Sequence, residues 1–401
     1  MLIYDWRMAR MKAKLSPEEI EAVRKSVMKA IAPLKPADMA RRYEIGTKRT
    51  KAGYGLPKHY LVYFLLVELL KFPHGGRGEK VAWTVPVEYE GNVACIEHRK
   101  MGLGVFSAAT DGSEEVAARI VEAIGRGVRG AVPFFDHLAS EAVEHSRLNV
   151  RNNSAWLFSR YEYLRDQFRE KAASAKACKD GVEKTEGTLA DGTKTTSYSF
   201  PHFALRQQAG WLGIAAIEAF FSWTEHVLIH IAILQGKLKT GEEVANLAAA
   251  EWSEKVKTAI DLDDAKVKSL FDELITIRRE IRNYMAHGAF GKHGEAFEFH
   301  SSAGAVPVNL TDPEGRDSFS IWFGPSFDEA GAIETAESFI ERLWEGKLAP
   351  AKMYLQDANM PVVLTYARKG TYENAMSSPE AMEEFIDGME HQMDNAANMD
   401  W

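Results

Sequence analysis

The segment "WLGIAAIEAFFSWTEHVLIHIAIL", residues 211 to 234, constrains the fold more than any other part of the chain. It is long and apolar enough to cross a bilayer, yet Glu218, Glu225, His226 and His230 interrupt it. Acidic groups at mid-membrane cost several kcal/mol. The segment therefore reads as the buried core helix of a globular domain, with no membrane partner. Such a helix must find neighbours that cover it nearly all round.

The remainder of the 401 residues supplies them. An apolar content of 46% and a charged content of 26% are those of a globular protein. The length exceeds one ordinary core, so two domains are expected. The net charge of −8 has the wrong sign for a protein that coats nucleic acid through a broad basic surface, although it leaves room for a local basic pocket. Cys95 and Cys178 alone cannot form a disulfide scaffold or a cysteine zinc module, and their scarcity favours the cytoplasm.

The fold class expected is α+β and predominantly helical. Ser16, Pro17 and Glu19 signal a helix start, with Ile20, Val23, Val27 and Ile31 as its apolar stripe. "HYLVYFLLVELL" is either a short buried helix or a strand. Residues 80 to 107 read as two or three antiparallel strands. Ser113 is placed as the cap of a helix that breaks near Pro133, and "SAWLFSRYEYLRDQFREKA" as one more helix. These pieces compose an N-terminal α+β domain, 1 to 172, with a small antiparallel sheet. Residues 173 to 200, poor in large apolar side chains, read as a linker or an exposed hairpin. A helical domain follows over 201 to 350, with long helices at about 205 to 236 and 263 to 287 and short strand-like pieces ("EAFEFHS", "SFSIWFG") appended. A C-terminal strand in "MPVVLTYA" and an acidic tail close the chain, 351 to 401.

Few motifs carry chemistry. "GRGVRG", 125 to 130, has the dinucleotide-binding spacing but follows a helical stripe, so close packing or a helix break is expected. "HGGRG", 74 to 78, lacks the nucleophile elbow that would make it an oxyanion loop, and reads as a turn. His226 and His230 share a helix face at metal-ligand spacing, but without the glutamate of a zinc protease they read as packing histidines. No cofactor and no metal ligand set is assigned.

The remaining candidate is "RNYMAH", at the end of the second long helix. Arg282 and His287 differ by five residues, about 140° of rotation and about 7.5 Å of rise on a regular helix. One straight helix cannot aim both at a single atom. Two copies meeting across a phosphodiester can: paired histidines move the protons of a 2′-OH attack while arginines neutralise the phosphorane charge. The alternative is dipole complementarity, since cations favour a helix C-terminus. Arg278 and Arg279 before the motif, and Lys292 and His293 after it, provide local positive charge for an RNA backbone or a solvated helix face.

Arg282, the polar Asn283 directly after it, and His287 followed by Gly288 resemble the RxxxxH motif of the HEPN superfamily. The preceding long helix, with Glu218 at an acidic position, is similar to that family's leading helix. The resemblance covers roughly residues 203 to 350. It implies a four- or five-helix bundle that dimerises to join two motifs, acting as a metal-independent endoribonuclease on single-stranded RNA, as in toxin-antitoxin, phage-defence and RNA-processing systems. His287 would be the acid-base group, Arg282 the transition-state clamp, Asn283 the orienter and Glu218 a support for the arginine. The implied partners are RNA, a second copy, and an antitoxin or defence protein. The alternative is a non-catalytic dimerisation scaffold whose N-terminal domain and apolar-studded acidic tail bind a protein.

Overall fold

The computed structural model describes residues 14–44, 48–108, 111–178, 181–188, 190, 192–287, 298–302, 304–307 and 328–398. The protein is α+β and predominantly helical, and it divides into two compact units, Met1–Leu148 with Glu384–Trp401, and Asn149–Glu383.

In the first unit, helix α1 (Pro17–Ile31) begins with the full capping box: the Glu19 amide donates to Ser16 Oγ and the Ser16 amide donates to Glu19 Oε2. Five strands, β1 (Lys35–Pro36), β2 (Lys48–Arg49), β3 (Val81–Tyr89), β4 (Asn92–Arg99) and β5 (Gly102–Ser107), form an antiparallel sheet in the order β1-β3-β4-β5-β2. The β3–β4 turn uses Glu90 and Gly91, both at positive φ, which matches the twist of the flanking strands. "HYLVYFLLVELL" resolves as helix α2 (His59–Tyr63), which continues as a π-helical stretch, Phe64–Leu69.

Helix α3 (Ser113–Gly130) contradicts one expectation: Gly112, at φ +83°, is the N-cap, and Ser113 is the first helical residue without a capping bond. α3 stops before Pro133, which opens helix α4 (Val132–Glu144). The "GRGVRG" stretch is helical, and Gly127 explains it. A Cβ there would lie 2.7 Å from Ile31 Cγ2 and 2.9 Å from Leu65 Cδ2, so only glycine lets α3 approach α1 and the π-helical stretch this closely. Around this contact Val27, Ile31, Leu65, Ile96, Val105, Ile120 and Ile124 form a core with almost no exposure.

The second unit starts at Asn149, whereas the sequence placed the end of the first domain at 172 and the start of the helical domain at 201. Strand β6 (Asn149–Val150) leads into helix α5 (Ser154–Ala177), whose buried residues Ser154, Tyr161, Phe168 and Ala175 recur every seven positions and pack along helix α6 (Pro201–Leu234). That stripe needs the apolar surface of α6, which is why α5 sides with the helical unit and the domain boundary moves upstream. The polar stretch between them is the hairpin of strands β7 (Glu183–Thr188) and β8 (Lys194–Ser199), exposed at every strand residue, rather than a linker between domains.

α6 is the buried helix the sequence called for, and most of its apolar window lies inside the protein. Helices α7 (Gly241–Ala249), α8 (Trp252–Ala259), α9 (Ala265–His287) and α10 (Glu329–Leu343) complete a bundle in which Phe220, Trp223, Trp252 and Phe339 are buried. A small hairpin of strands β9 (Glu298–Ser301) and β10 (Gly304–Pro307) follows α9, while "SFSIWFG" lies outside the described residues.

"MPVVLTYA" is a strand only at β11 (Val362–Val363), which pairs with β6 before the chain turns helical. Beyond the short helices α11 (Ala349–Lys352), α12 (Leu364–Arg368) and α13 (Thr371–Ala375), the acidic tail forms helix α14 (Pro379–Asn398). It buries Met382, Ile386 and Met389 and is not a solvated terminus, because those side chains share one helical face.

Two of the glycines of α3, Gly127 and Gly125, should respond oppositely to alanine. Gly127→Ala overpacks the core and should cost ~1–3 kcal/mol. At Gly125 the nearest atom is Arg129 Nη1 at 3.7 Å, so Gly125→Ala should stabilise by up to about 1 kcal/mol through helix propensity. Urea unfolding of both variants measures the contrast.

Candidate functional site: the end of helix α9 and the polar cluster beneath it

Helix α9 is held inward by Phe271, Leu274, Ile277 and Ile281, all buried and spaced three or four apart. It remains helical through His287. The backbone of Arg282, Asn283 and His287 thus lies on one continuous helix, which preserves the rotational offset between arginine and histidine. The side chains of Asn283 and His287, and the whole of Lys292 and His293, lie outside the described residues.

The three arginines of this helix have different surroundings. Arg279 and Arg282 are exposed and have no ion pair among the described residues. Arg278, expected as an RNA contact, is half-buried and engaged inside the protein: its Nη2 donates to Glu225 Oε1 at 2.5 Å. Its guanidinium lies over the Phe221 ring at 5.2 Å and near the Trp252 ring at 5.9 Å. Its Nη1 is buried with no hydrogen-bond partner, so the aromatic faces are its main neighbours there. That engagement follows from position. Residue 278 faces α6 and α8, one turn before the helix surface that carries Arg282.

Lys255 of α8 completes the cluster, donating from Nζ to Glu225 Oε2 at 2.9 Å with a side chain only 3% exposed. Burial raises the Glu225 carboxyl, but hydrogen bonds from Arg278 and Lys255 outweigh it and hold the group below the ordinary carboxylate value. Glu225 is therefore the anion that ties α6, α8 and α9 together. Glu218, expected to support the arginine, is two turns earlier on α6, exposed, with no described partner. Glu225 and Lys255 were missed in the sequence; the one available signal was a carboxylate within an apolar helix, which demands a buried cation.

The His226 and His230 rings lie with centroids 4.2 Å apart and planes tilted by 40°, but their nitrogens are engaged. His226 Nε2 accepts the Asn153 amide at 2.9 Å, while His230 Nδ1 and Nε2 face the carbonyl oxygens of His226 and Arg151 at 2.8 and 3.2 Å. No lone pairs converge on a point, and no group of three or more His, Cys, Asp or Glu suited to a metal occurs among the described residues. The pair fastens the 151–153 loop to α6. Burial, then the neighbouring His230, push His226 down to about 3, and burial also lowers His230.

"HGGRG" is a turn, bridged to β3 through Gly75 with Thr84 and Gly78 with Val81. No protein-family model matches the chain, and no match is found among the curated proteins or the solved structures.

Two outcomes are expected. Glu225→Ala leaves a buried lysine unpaired and should destabilise by roughly 2–4 kcal/mol, whereas Glu218→Ala should stay within about 0.5 kcal/mol, both by urea unfolding. An unfolded chain protonates His226 near pH 6.5 and the folded one near 3, so stability should fall as pH drops through that window. His226→Gln keeps an acceptor for Asn153 without titrating, and should flatten the pH dependence of the thermal midpoint between those limits.

Proposed function

We propose that the protein is a metal-independent endoribonuclease of single-stranded RNA, acting as a homodimer in which two RxxxxH segments share one phosphodiester. The observation that supports this reading is the exposed Arg282, four residues beyond the engaged Arg278, on a helix that continues unbroken to His287. Dipole complementarity alone favours any cation near a helix end. It does not account for one arginine being tied into the bundle while the next on the same side of the helix is left to solvent.

In the proposed reaction the 2′-oxygen of a ribose attacks the adjacent phosphorus as one His287 takes the hydroxyl proton. The P–O5′ bond breaks as His287 of the partner subunit returns a proton to the leaving oxygen. The products are a 2′,3′-cyclic phosphate and a 5′-hydroxyl. The two Arg282 guanidinium groups neutralise the extra charge on phosphorus, which is the largest contribution expected from such a site. Asn283, one turn before His287 on the same helix face, orients the imidazole or a phosphate oxygen. Only RNA supplies the nucleophile.

The test incubates the purified full chain with mixed-sequence single-stranded RNA in the presence of chelator. Cleavage with cyclic phosphate ends is expected, falling about 100-fold or more in His287→Ala and in Arg282→Ala, consistent with loss of an acid-base group or a charge clamp. Equal cleavage by wild type and variants, or cleavage abolished by chelator, overturns the mechanism. A dimeric protein with no cleavage would instead favour a scaffold.

A further inference from the structure

The first unit carries a built group of rings that the cleavage reading does not use. His59 and Tyr63, one turn apart on α2 and its continuation, sit over the cross-strand pair His98 of β4 and Trp83 of β3. The His59 and His98 rings are stacked, with centroids 4.1 Å apart and planes 8° apart. Tyr63 packs on Trp83 at 5.5 Å, Trp83 on His98 at 6.0 Å, and Tyr60 stands edge-on to His59 at 5.6 Å. Trp83 is buried and forms the floor, whereas His59 is exposed and Tyr60 is 43% exposed, so the stack ends on a ring open to solvent.

A lysine directly precedes each of the two elements that carry these rings. Lys58 is exposed with no described ion pair, and Lys80, whose side chain is 62% exposed, makes a surface ion pair with Glu79 at 3.3 Å and accepts the Lys100 amide at its carbonyl. The first unit, residues 1 to 148 with 384 to 401, holds 23 Lys and Arg against 23 Asp and Glu, whereas the rest of the chain holds 26 against 34. The unit that carries the rings is neutral within an acidic protein.

We propose that the His59–His98 stack and the flanking Lys58 and Lys80 bind the bases and backbone of single-stranded RNA. An unpaired base adds to a ring stack through its face, and nearby lysines meet the phosphates. A duplex presents no free base face, so the platform discriminates by strandedness. This assignment is independent of the chemistry at Arg282 and His287, and the assay separates the two.

Fluorescence anisotropy measures binding of a labelled RNA of about 12 nucleotides to the full chain carrying His287→Ala, so that cleavage cannot consume the probe. Adding His59→Ala should weaken binding by about fivefold or more, while His59→Phe, which keeps a stacking face, should remain within about twofold. Lys58→Glu should weaken binding and flatten its salt dependence. Duplex RNA should compete poorly, and melting temperatures should match throughout. Unchanged affinity in His59→Ala, equal losses in His59→Ala and His59→Phe, or a duplex that binds as well as the single strand each overturns the proposal. Cleavage by the chain without His287→Ala is scored separately, so either idea can fail alone.

Discussion

The second unit depends on burying α6 together with the polar groups that interrupt it. A charge or hydroxyl left unpaired in such a core costs several kcal/mol, enough to offset much of the apolar gain. Glu218 is exposed, and the interruptions that turn inward have partners. Glu225 receives Lys255 and Arg278, and Thr224 Oγ1 accepts Trp252 Nε1 at 2.9 Å while donating to a carbonyl one turn back. His226 and His230 hold the 151–153 loop. Two helices, α8 and α9, and the start of the unit are thereby positioned by polar contacts to a helix whose surface is largely apolar.

This arrangement determines which arginines remain for solvent. A carboxylate on α6 draws in the cation that faces it, and the periodicity of α9 makes that cation Arg278. Arg282, at the following turn, meets no such carboxylate. The local charge at the end of α9 is thus narrower than a count of basic residues suggests, and the exposed arginines are Arg279 and Arg282.

The first unit follows a different constraint, the close approach of α3 at Gly127 to Ile31 and Leu65. That approach seats α2 and its π-helical continuation on the sheet, and the register of β3 with β4 sets Trp83 opposite His98. A glycine spaced like a nucleotide motif therefore serves packing, and the rings at the sheet end are a consequence of where it places α2.

Periodicity and capping determined much of the secondary structure from the sequence alone: the Ser16 capping box, the antiparallel strands between 80 and 107, and the buried character of 211 to 234, because each rests on neighbours in the chain. The position of "RNYMAH" at the end of an amphipathic helix was legible for the same reason. The tertiary structure decided the rest. It assigned α5 to the helical unit, chose the hairpin over the linker for the polar stretch after α5, folded the acidic tail into a helix, and set Glu225 rather than Glu218 against an arginine. Those outcomes depend on which apolar faces meet and which buried charges find partners across dozens of residues, and one-dimensional spacing does not encode such pairings.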